Sequence, residues 1–347
     1  MNTEMVTVRD GKKIACFRYP VDGEPLCRML FLHGSTFNSR RYANIAKACA
    51  KVGCETVLID WRGHGQSEGE PGHCDYPGQI EDDIADLLAH FKAEQALPTL
   101  LGGHSAGSVI CLKYFHRYGQ DEVVGSYFIS PALGNMLEAA RYDEKTAKRQ
   151  FFMNFLRKKE TFNPAPEKAK QYIPVFKNKK FWLAMLLPFL RHKKVLFFPG
   201  SEKMTALEGR IMEYSTNMVL SISLDKYIEP FRKVTVPTIL ICGENDEMIN
   251  PDFLHTVYHW HLAPDLDKSI EIAPRLNHTN IVNGASKILP KWIAERWPFE
   301  VPEPSADQKP SADQKPSADQ KSSAQEFAAE KPATNSTTQN LTQVEAC

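Results

Sequence analysis

The stretch Gly103-His104-Ser105-Ala106-Gly107 decides the fold of this 347-residue chain. It spells G-x-S-x-G, follows the apolar run Leu97–Leu101 and precedes a segment with apolar residues at helical spacing. A strand, a sharp turn and a helix in this order predict a nucleophile elbow that holds the Ser105 hydroxyl clear of the backbone. Glycines are expected on both sides because a side chain at either position would collide across so tight a turn.

A serine nucleophile needs a base to take its proton and a carboxylate to orient that base. With this motif, the acid and then the histidine follow the serine along the chain. The apolar run 236–243 predicts a buried strand, and Asp246 lies just beyond its end, where the functional loops of a parallel sheet gather. Glu244 and Glu247 are rivals for the same role, although a solvated acidic turn also explains them.

His278 is the candidate base. It lies in the loop after the predicted strand 268–273 and before the helical run 281–297. It is the histidine beyond Asp246 that follows a strand. The other histidines in this part of the chain fall in a predicted helix over 252–262: His255, His259 and His261.

An oxyanion site has its own signature near the N-terminus. The apolar strand 27–32 runs into His33-Gly34-Ser35. Acyl transfer needs two main-chain N–H groups aimed at the developing oxyanion, one after the nucleophile and one from an early loop. The predicted donors are therefore the amides of Ala106 and Ser35.

Together these motifs resemble the α/β-hydrolase superfamily. The segment 60–69, Asp-Trp-Arg-Gly-His-Gly-Gln-Ser-Glu-Gly, is similar to the D-x-R-G-H-G-x-S segment of its monoacylglycerol lipase and lysophospholipase branch, the serine aminopeptidase-like hydrolases. The resemblance covers roughly residues 5–135 and 230–298. It implies Ser105, Asp246 and His278 as the catalytic triad, Ser35 and Ala106 as oxyanion donors, and no metal or organic cofactor.

The chain departs from that family at several positions. Ala106 and Ser108 stand where the family's lipases commonly carry Met and Gly, and the residues around His278 also differ. These changes leave the triad chemistry intact, but the acyl length and head group of the ester stay open. His64, within the D-x-R-G-H-G segment, is expected to shape the core rather than act in catalysis.

The alternation of strands with helices of about 10–15 residues predicts an α/β fold with a mostly parallel sheet and helices on both faces. The alternation breaks near residue 135 and resumes near 234, which predicts a helical cap insertion. The tail repeats Pro-Ser-Ala-Asp-Gln-Lys from residues 304, 310 and 316, and its polar composition predicts disorder. The predicted parts are a first core segment at 1–134, the cap at 135–228, a second core segment at 229–300 and the tail at 301–347.

The predicted cap is basic. Residues 135–220 hold 17 Lys and Arg against 8 Asp and Glu, a net charge of +9. Basic clusters at 177–180 and 191–194 bracket the apolar run 181–190, which favours either an anchor on an anionic membrane surface or a helix over an acyl pocket. The cap residues expected to contact substrate or lipid are Phe181, Trp182, Leu186 and Phe189.

Several classes of partner and compartment are disfavoured by composition. A formal net charge of zero gives no reason to expect a nucleic-acid partner. The eight cysteines show no C-x-x-C spacing, which argues against a zinc site and favours a reducing compartment. The first residues lack a secretory pattern and no apolar run reaches about 18 residues. A cytoplasmic protein with peripheral membrane contact is therefore expected.

The leading hypothesis is a serine hydrolase of small-molecule carboxylic esters, of the monoacylglycerol or lysophospholipid type. A small-ester carboxylesterase and an acyltransferase would use the same residues and stay open, and a non-catalytic scaffold is a further alternative. Ser105 argues against haloalkane dehalogenases and epoxide hydrolases, which use an aspartate nucleophile. The basic cap argues against prolyl aminopeptidases, whose caps hold a substrate amine with acidic residues.

Overall fold

The computed structural model describes residues 1–134, 175–198, 200 and 206–297. The chain divides into two units, Met1–Phe299 and Glu300–Cys347. The second unit and residues 135–174 lie outside the described residues, so the predictions of a disordered tail and of the first half of the cap concern parts that are not described.

Most described strands belong to one large sheet. In chain order they are β1 Asn2–Thr7, β2 Lys13–Tyr19, β3 Cys27–Leu32, β4 Cys54–Asp60, β5 Thr99–His104, β6 Gly125–Ile129, β10 Thr238–Gly243 and β11 Lys268–Ala273. They are arranged as β1-β2-β4-β3-β5-β6-β10-β11. The pairs β1–β2 and β2–β4 are antiparallel, and every other neighbouring pair is parallel.

The helices cover both faces of this sheet. Those of the core are α1 Ala43–Ala50, α2 Gln79–Glu94, α3 Ala106–Tyr118, α6 Ile228–Arg232, α7 Pro251–His261 and α8 Ile281–Arg296. One apolar cluster joins the sheet to α2, α3 and α7, and a second joins it to α1 and α8. Strands β3, β4, β5, β6 and β10 are buried along their whole length, as strands covered on two faces must be. The predicted α/β fold is confirmed.

The described part of the cap holds more than helices. Its elements are β7 Val175–Phe176, α4 Asn178–Leu186, a 3₁₀ turn at Pro188–Leu190, β8 Lys194–Phe197, β9 Glu213–Ser215 and α5 Thr216–Ile222. The three strands form a small antiparallel sheet in the order β7-β8-β9. Sequence analysis missed these strands because two to four residues are too few to show an alternating pattern.

The parallel strands determine where the site lies. Because β5, β6, β10 and β11 all run in the same direction, the loops that follow them emerge at one edge of the sheet. Ser105 follows β5, Asp246 follows β10 and His278 follows β11. β5 itself begins two residues later than predicted and continues to His104, so the turn at Ser105 starts directly at the strand end.

Candidate active site

Ser105 occupies the sharp turn between β5 and α3. Its backbone angles are φ 54° and ψ −116°, a conformation that non-glycine residues rarely adopt. Such strain costs about 1–3 kcal/mol and persists only where the surroundings enforce it. Here the Ser105 N–H donates to the carbonyl of Ile129 on β6 at 2.8 Å, and α3 begins at the next residue.

The two glycines of the motif allow β3 to approach this turn closely. A Cβ atom on Gly103 would lie 2.2 Å from the carbonyl oxygen of Leu32. One on Gly107 would lie 2.2 Å from the same oxygen and 2.7 Å from that of His33. Because these two positions are glycines, the end of β3 packs directly against the turn at Ser105. The loop after β3, which carries Ser35, is thereby held near the same turn.

The structure brings the three predicted side chains into one hydrogen-bonded series. His278 Nε2 lies 3.0 Å from Ser105 Oγ, and His278 Nδ1 lies 2.8 Å from Asp246 Oδ2. All three side chains are buried, and Asp246 is completely inaccessible. With the proton on Nδ1 directed to the carboxylate, Nε2 is free to accept the hydroxyl proton of Ser105.

Asp246 is fixed by its own loop. Its Oδ1 accepts hydrogen bonds from the N–H groups of Met248 at 3.0 Å and Ile249 at 2.8 Å, which leaves Oδ2 for His278. Burial lowers the pKa of the His278 imidazole, but the charge of Asp246 and its hydrogen bond raise it by more. The pKa of His278 consequently lies above the ordinary value for histidine.

The two rival carboxylates hold the backbone of the histidine loop instead. Glu244 Oε2 accepts from the N–H of Arg275 at 2.9 Å, and Glu247 Oε2 accepts from the N–H of His278 at 3.0 Å. Of the three acidic side chains in the turn, Asp246 is the one that contacts the imidazole. The turn after β10 therefore positions both the ring and the main chain of His278.

Asn277 and Asn280 form the turn around His278. Asn277 Oδ1 accepts from the N–H groups of Thr279 at 3.1 Å and Asn280 at 2.8 Å, and Asn280 Oδ1 accepts from the N–H of Asn277 at 2.6 Å. Asparagine side chains commonly satisfy turn backbones in this way. Sequence analysis missed both residues, although an Asn-x-x-Asn pattern around a loop histidine was the signal that would have found them.

His104 connects the elbow to two other loops. Its Nδ1 accepts from the Tyr42 hydroxyl at 2.9 Å and its Nε2 donates to the carbonyl of His278 at 3.0 Å. The Tyr42 hydroxyl in turn accepts from the N–H of Gly34 at 2.9 Å. Complete burial keeps the pKa of His104 well below the ordinary value, so the ring stays neutral and supports this arrangement.

The predicted oxyanion donors lie at the two turns already described. Ala106 is the first residue of α3, and Ser35 lies in the loop after β3. No hydrogen bond joins either N–H to an acceptor in the described residues. Free main-chain N–H groups, such as that of Ala106 at the start of α3, suit an anionic oxygen.

The four cap residues predicted to contact substrate or lipid differ in their exposure to solvent. Phe181 is partly buried and packs on Phe176 with ring centroids 4.9 Å apart. Trp182, Leu186 and Phe189 are 65%, 78% and 72% exposed, so most of the apolar surface of α4 and its 3₁₀ turn faces solvent. Among the helices of the described residues, none combines the length and apolarity needed to cross a bilayer.

One cluster in the described residues has the donor types of a metal site: Glu4, His90 and Glu94. It lies on β1 and α2 rather than on the loops that carry Ser105. Arg18 pairs with both of its carboxylates, at 3.1 Å for Glu4, so ion pairing already accounts for these acids.

Comparison with known proteins finds a match to the family model described as serine aminopeptidase, S33, over residues 23–177. Human monoglyceride lipase is 23% identical over 303 residues, which cover 83% of this chain and 88% of that protein. An uncharacterized abhydrolase domain-containing protein of Dictyostelium discoideum is 29% identical over 111 residues, which are 32% of this chain and only 12% of that protein.

Solved structures show the same fold. A soluble variant of the monoglyceride lipase of Saccharomyces cerevisiae, in complex with a substrate analog, aligns with a TM-score of 0.60 at 16% identity, over 86% of this chain and 96% of that one. An esterase from Exiguobacterium antarcticum aligns with a TM-score of 0.55, also at 16% identity, over 85% of this chain and 99% of that one.

Proposed function

Since the chain belongs to the α/β-hydrolase superfamily, in its serine aminopeptidase-like and monoglyceride lipase branch, we propose that it hydrolyses carboxylic esters with Ser105 as nucleophile, His278 as base and Asp246 as the orienting acid. The observation that carries this proposal is the series Ser105 Oγ, His278 and Asp246, joined by contacts of 3.0 and 2.8 Å.

In the first half of the reaction, Ser105 Oγ attacks the ester carbonyl carbon while His278 Nε2 takes the hydroxyl proton. The carbonyl oxygen becomes an oxyanion, which the N–H groups of Ser35 and Ala106 stabilise. Each such donor typically contributes about 3–4 kcal/mol. The carbon–oxygen bond to the alcohol then breaks, and His278 gives its proton to the leaving alcohol.

In the second half, water replaces the alcohol. His278 takes a proton from the water as its oxygen attacks the acyl carbon, and the same two amides hold the new oxyanion. The bond to Ser105 Oγ breaks, the serine recovers its proton from His278, and the carboxylic acid leaves. Asp246 stays ionised throughout and stabilises the imidazolium that forms in each half.

The proposed substrates are esters with one long acyl chain, either monoacylglycerols or lysophospholipids. The names of the human and yeast relatives support the first of these. The described cysteines, seven in number, are free and buried, which supports a reducing compartment such as the cytoplasm.

We further propose that the cap rests on an anionic membrane surface while it admits such a lipid. The exposed side chains of Trp182, Leu186 and Phe189 supply apolar contact, and the exposed Lys179, Lys180 and Lys193 flank them in the sequence. An apolar face bordered by lysines suits the interface of an anionic bilayer, where each basic side chain contributes about 1 kcal/mol. Lys177 and Lys194 contribute less, because one stacks on a Phe197 ring and the other pairs with Glu70.

The experiment that tests the proposed function is a substrate series. Hydrolysis of p-nitrophenyl esters from acetate to palmitate is measured beside monooleoylglycerol and lysophosphatidylcholine, for the wild type and for Ser105→Ala. Turnover that rises with chain length and disappears in Ser105→Ala supports a lipid-directed serine hydrolase. Turnover confined to acetate and butyrate makes it a small-ester carboxylesterase, and wild-type turnover in Ser105→Ala overturns the proposal.

A further inference from the structure

Thr36 follows the proposed oxyanion donor Ser35 and has a left-handed backbone, with φ 68°. This conformation is unfavourable for a β-branched residue, so its surroundings must hold it in place. Thr36 is almost completely buried. The position of the Ser35 amide therefore depends on the contacts that hold Thr36 in this conformation.

All three polar groups of Thr36 are bound by the cap segment 210–214. The Thr36 N–H donates to the Tyr214 hydroxyl at 2.6 Å, and its carbonyl accepts from the N–H of Ile211 at 2.9 Å. Its side-chain oxygen accepts from Nε and Nη2 of Arg210 at 3.2 and 2.9 Å. Arg210 also lies over the ring of Phe37, the next residue of the same loop, at 4.6 Å.

The Tyr214 hydroxyl is itself fixed by His64, the histidine of the D-x-R-G-H-G segment. Tyr214 donates to His64 Nε2 at 2.7 Å, while His64 Nδ1 faces the carbonyl of Arg62 at 3.2 Å. These partners assign the imidazole proton to Nδ1. Burial, and to a lesser extent His33, lowers the pKa of His64 to about 3, so the ring remains a neutral acceptor for Tyr214.

We propose that Tyr214, held by His64, and Arg210 are positioning residues. By fixing the backbone of Thr36, they hold the N–H of the preceding residue, Ser35, in the direction of the oxyanion. This inference rests on the proposed function and adds that the cap segment 210–214 controls transition-state stabilisation. A group that acts only on the oxyanion lowers kcat when it is removed and leaves the binding of the neutral ester unchanged. A merely structural contact lowers thermal stability and leaves kcat unchanged.

The test is Tyr214→Phe in the full chain, which deletes one oxygen and leaves the Thr36 N–H without its acceptor. Removal of an oxyanion donor costs about 10²–10³ in kcat, and a displaced donor should cost tenfold or more. We expect kcat for p-nitrophenyl butyrate to fall at least tenfold with KM within twofold of the wild type. Affinity for a trifluoromethyl ketone, which forms an oxyanion with Ser105 Oγ, should fall by a similar factor.

The matched control is Tyr127→Phe. Tyr127 is also fully buried, and its hydroxyl donates to the carbonyl of Leu30 on β3 at 2.6 Å. Tyr127→Phe also deletes one buried hydroxyl and the hydrogen bond that it donates, without touching the loop after β3. We expect its kcat to stay within twofold of the wild type.

The outcomes separate this inference from the function beneath it. Ser105-dependent turnover in the wild type, together with an unchanged kcat and ketone affinity in Tyr214→Phe, overturns the inference alone. Absence of Ser105-dependent turnover in the wild type overturns both. If Tyr214→Phe does not fold, Arg210→Gln replaces it at a partly exposed position, where an at least threefold loss of kcat at constant KM supports the inference and an unchanged kcat overturns it.

Discussion

Glu247 accepts a hydrogen bond from the main-chain N–H of His278 at 3.0 Å. The residue before it, Asp246, contacts the imidazole ring of the same histidine. The turn after β10 therefore holds His278 at two points, the backbone and the imidazole. Neither bond alone defines both the position and the rotation of the ring. The two together define where Nε2 meets Ser105 Oγ.

This double attachment predicts a graded response to changes at Glu247. Glu247→Ala removes the acceptor for the His278 N–H, so we expect the ring to shift and kcat to fall about tenfold or more, since small misplacements of a catalytic group are costly. Glu247→Gln keeps an acceptor oxygen of similar reach and should retain most of the activity. Steady-state kinetics on p-nitrophenyl butyrate measures both, and equal losses in the two variants would contradict the hydrogen-bonding role.

The raised pKa of His278 predicts the acidic limb of the pH profile. In the proposed mechanism the neutral ring is the base, so kcat/KM should fall as the pH drops through a value above the ordinary histidine pKa of about 6.5. Asp246→Asn removes the charge that raises this pKa, so the limb should move to lower pH while kcat falls by up to about 10⁴. A limb that stays in place in Asp246→Asn would contradict the assignment of His278 as the titrating group.

The same pKa shift affects stability. Because the folded state raises the pKa of His278, protonation of this ring favours folding. Its contribution is fully present below the unfolded pKa of about 6.5 and is lost as the pH rises through the higher folded value. The free energy of unfolding, measured with urea between pH 5 and pH 9, should therefore fall more steeply with rising pH in the wild type than in His278→Gln.

Gly107→Ala is expected to reverse the usual effect of alanine in a helix. Gly107 lies in α3 at an ordinary helical φ, where alanine normally stabilises by about 1 kcal/mol. Its Cβ would meet the Leu32 carbonyl oxygen at 2.2 Å, so we expect a lower melting temperature and loss of turnover. The control is Gly11→Ala, which has φ 81° and open space, and which should lose stability without losing turnover. A stabilised, active Gly107→Ala would contradict the close approach of β3.

The proposed membrane contact predicts charge-dependent binding to vesicles. Replacing Lys179, Lys180 and Lys193 by Gln should weaken sedimentation with phosphatidylserine-containing vesicles by about tenfold or more, since each lysine contributes about 1 kcal/mol near an anionic surface. Turnover of p-nitrophenyl butyrate should not change. The control removes three exposed lysines, one in α1, one directly after α1 and one in α8, by Lys47→Gln, Lys51→Gln and Lys287→Gln. Equal effects of the two sets would show a general charge effect and contradict the proposed surface.

Local sequence patterns were enough to predict the fold and to identify the loops that carry the candidate site residues. The elbow around Ser105 follows from residues adjacent in sequence, and the alternation of strands and helices predicted the sheet that the structure confirms. Position and family resemblance already favoured Asp246, but the rivals Glu244 and Glu247 stayed open because a sequence does not carry side-chain directions within one turn. Catalytic roles for Ser105, Asp246 and His278 stay predictions.

The network behind Ser35 was beyond prediction for a different reason. Thr36 meets Tyr214 across 178 positions of the chain, and the strand that carries Tyr214 has three residues. Neither periodicity nor a motif links two such segments. The D-x-R-G-H-G segment predicted His64 as a core residue. Its partner Tyr214 lies in the cap, and the contact between the two is defined only by the folded structure.

The separation of these residues along the chain also has a consequence for biosynthesis. Ser105 and His278 lie 173 positions apart, and contacts of this range close after local helices and turns have formed. A growing polypeptide that ends before β11 contains the proposed nucleophile without its base. The proposed activity should thus appear only once the last parallel strand has been synthesised and has docked, so truncated translation products would lack it.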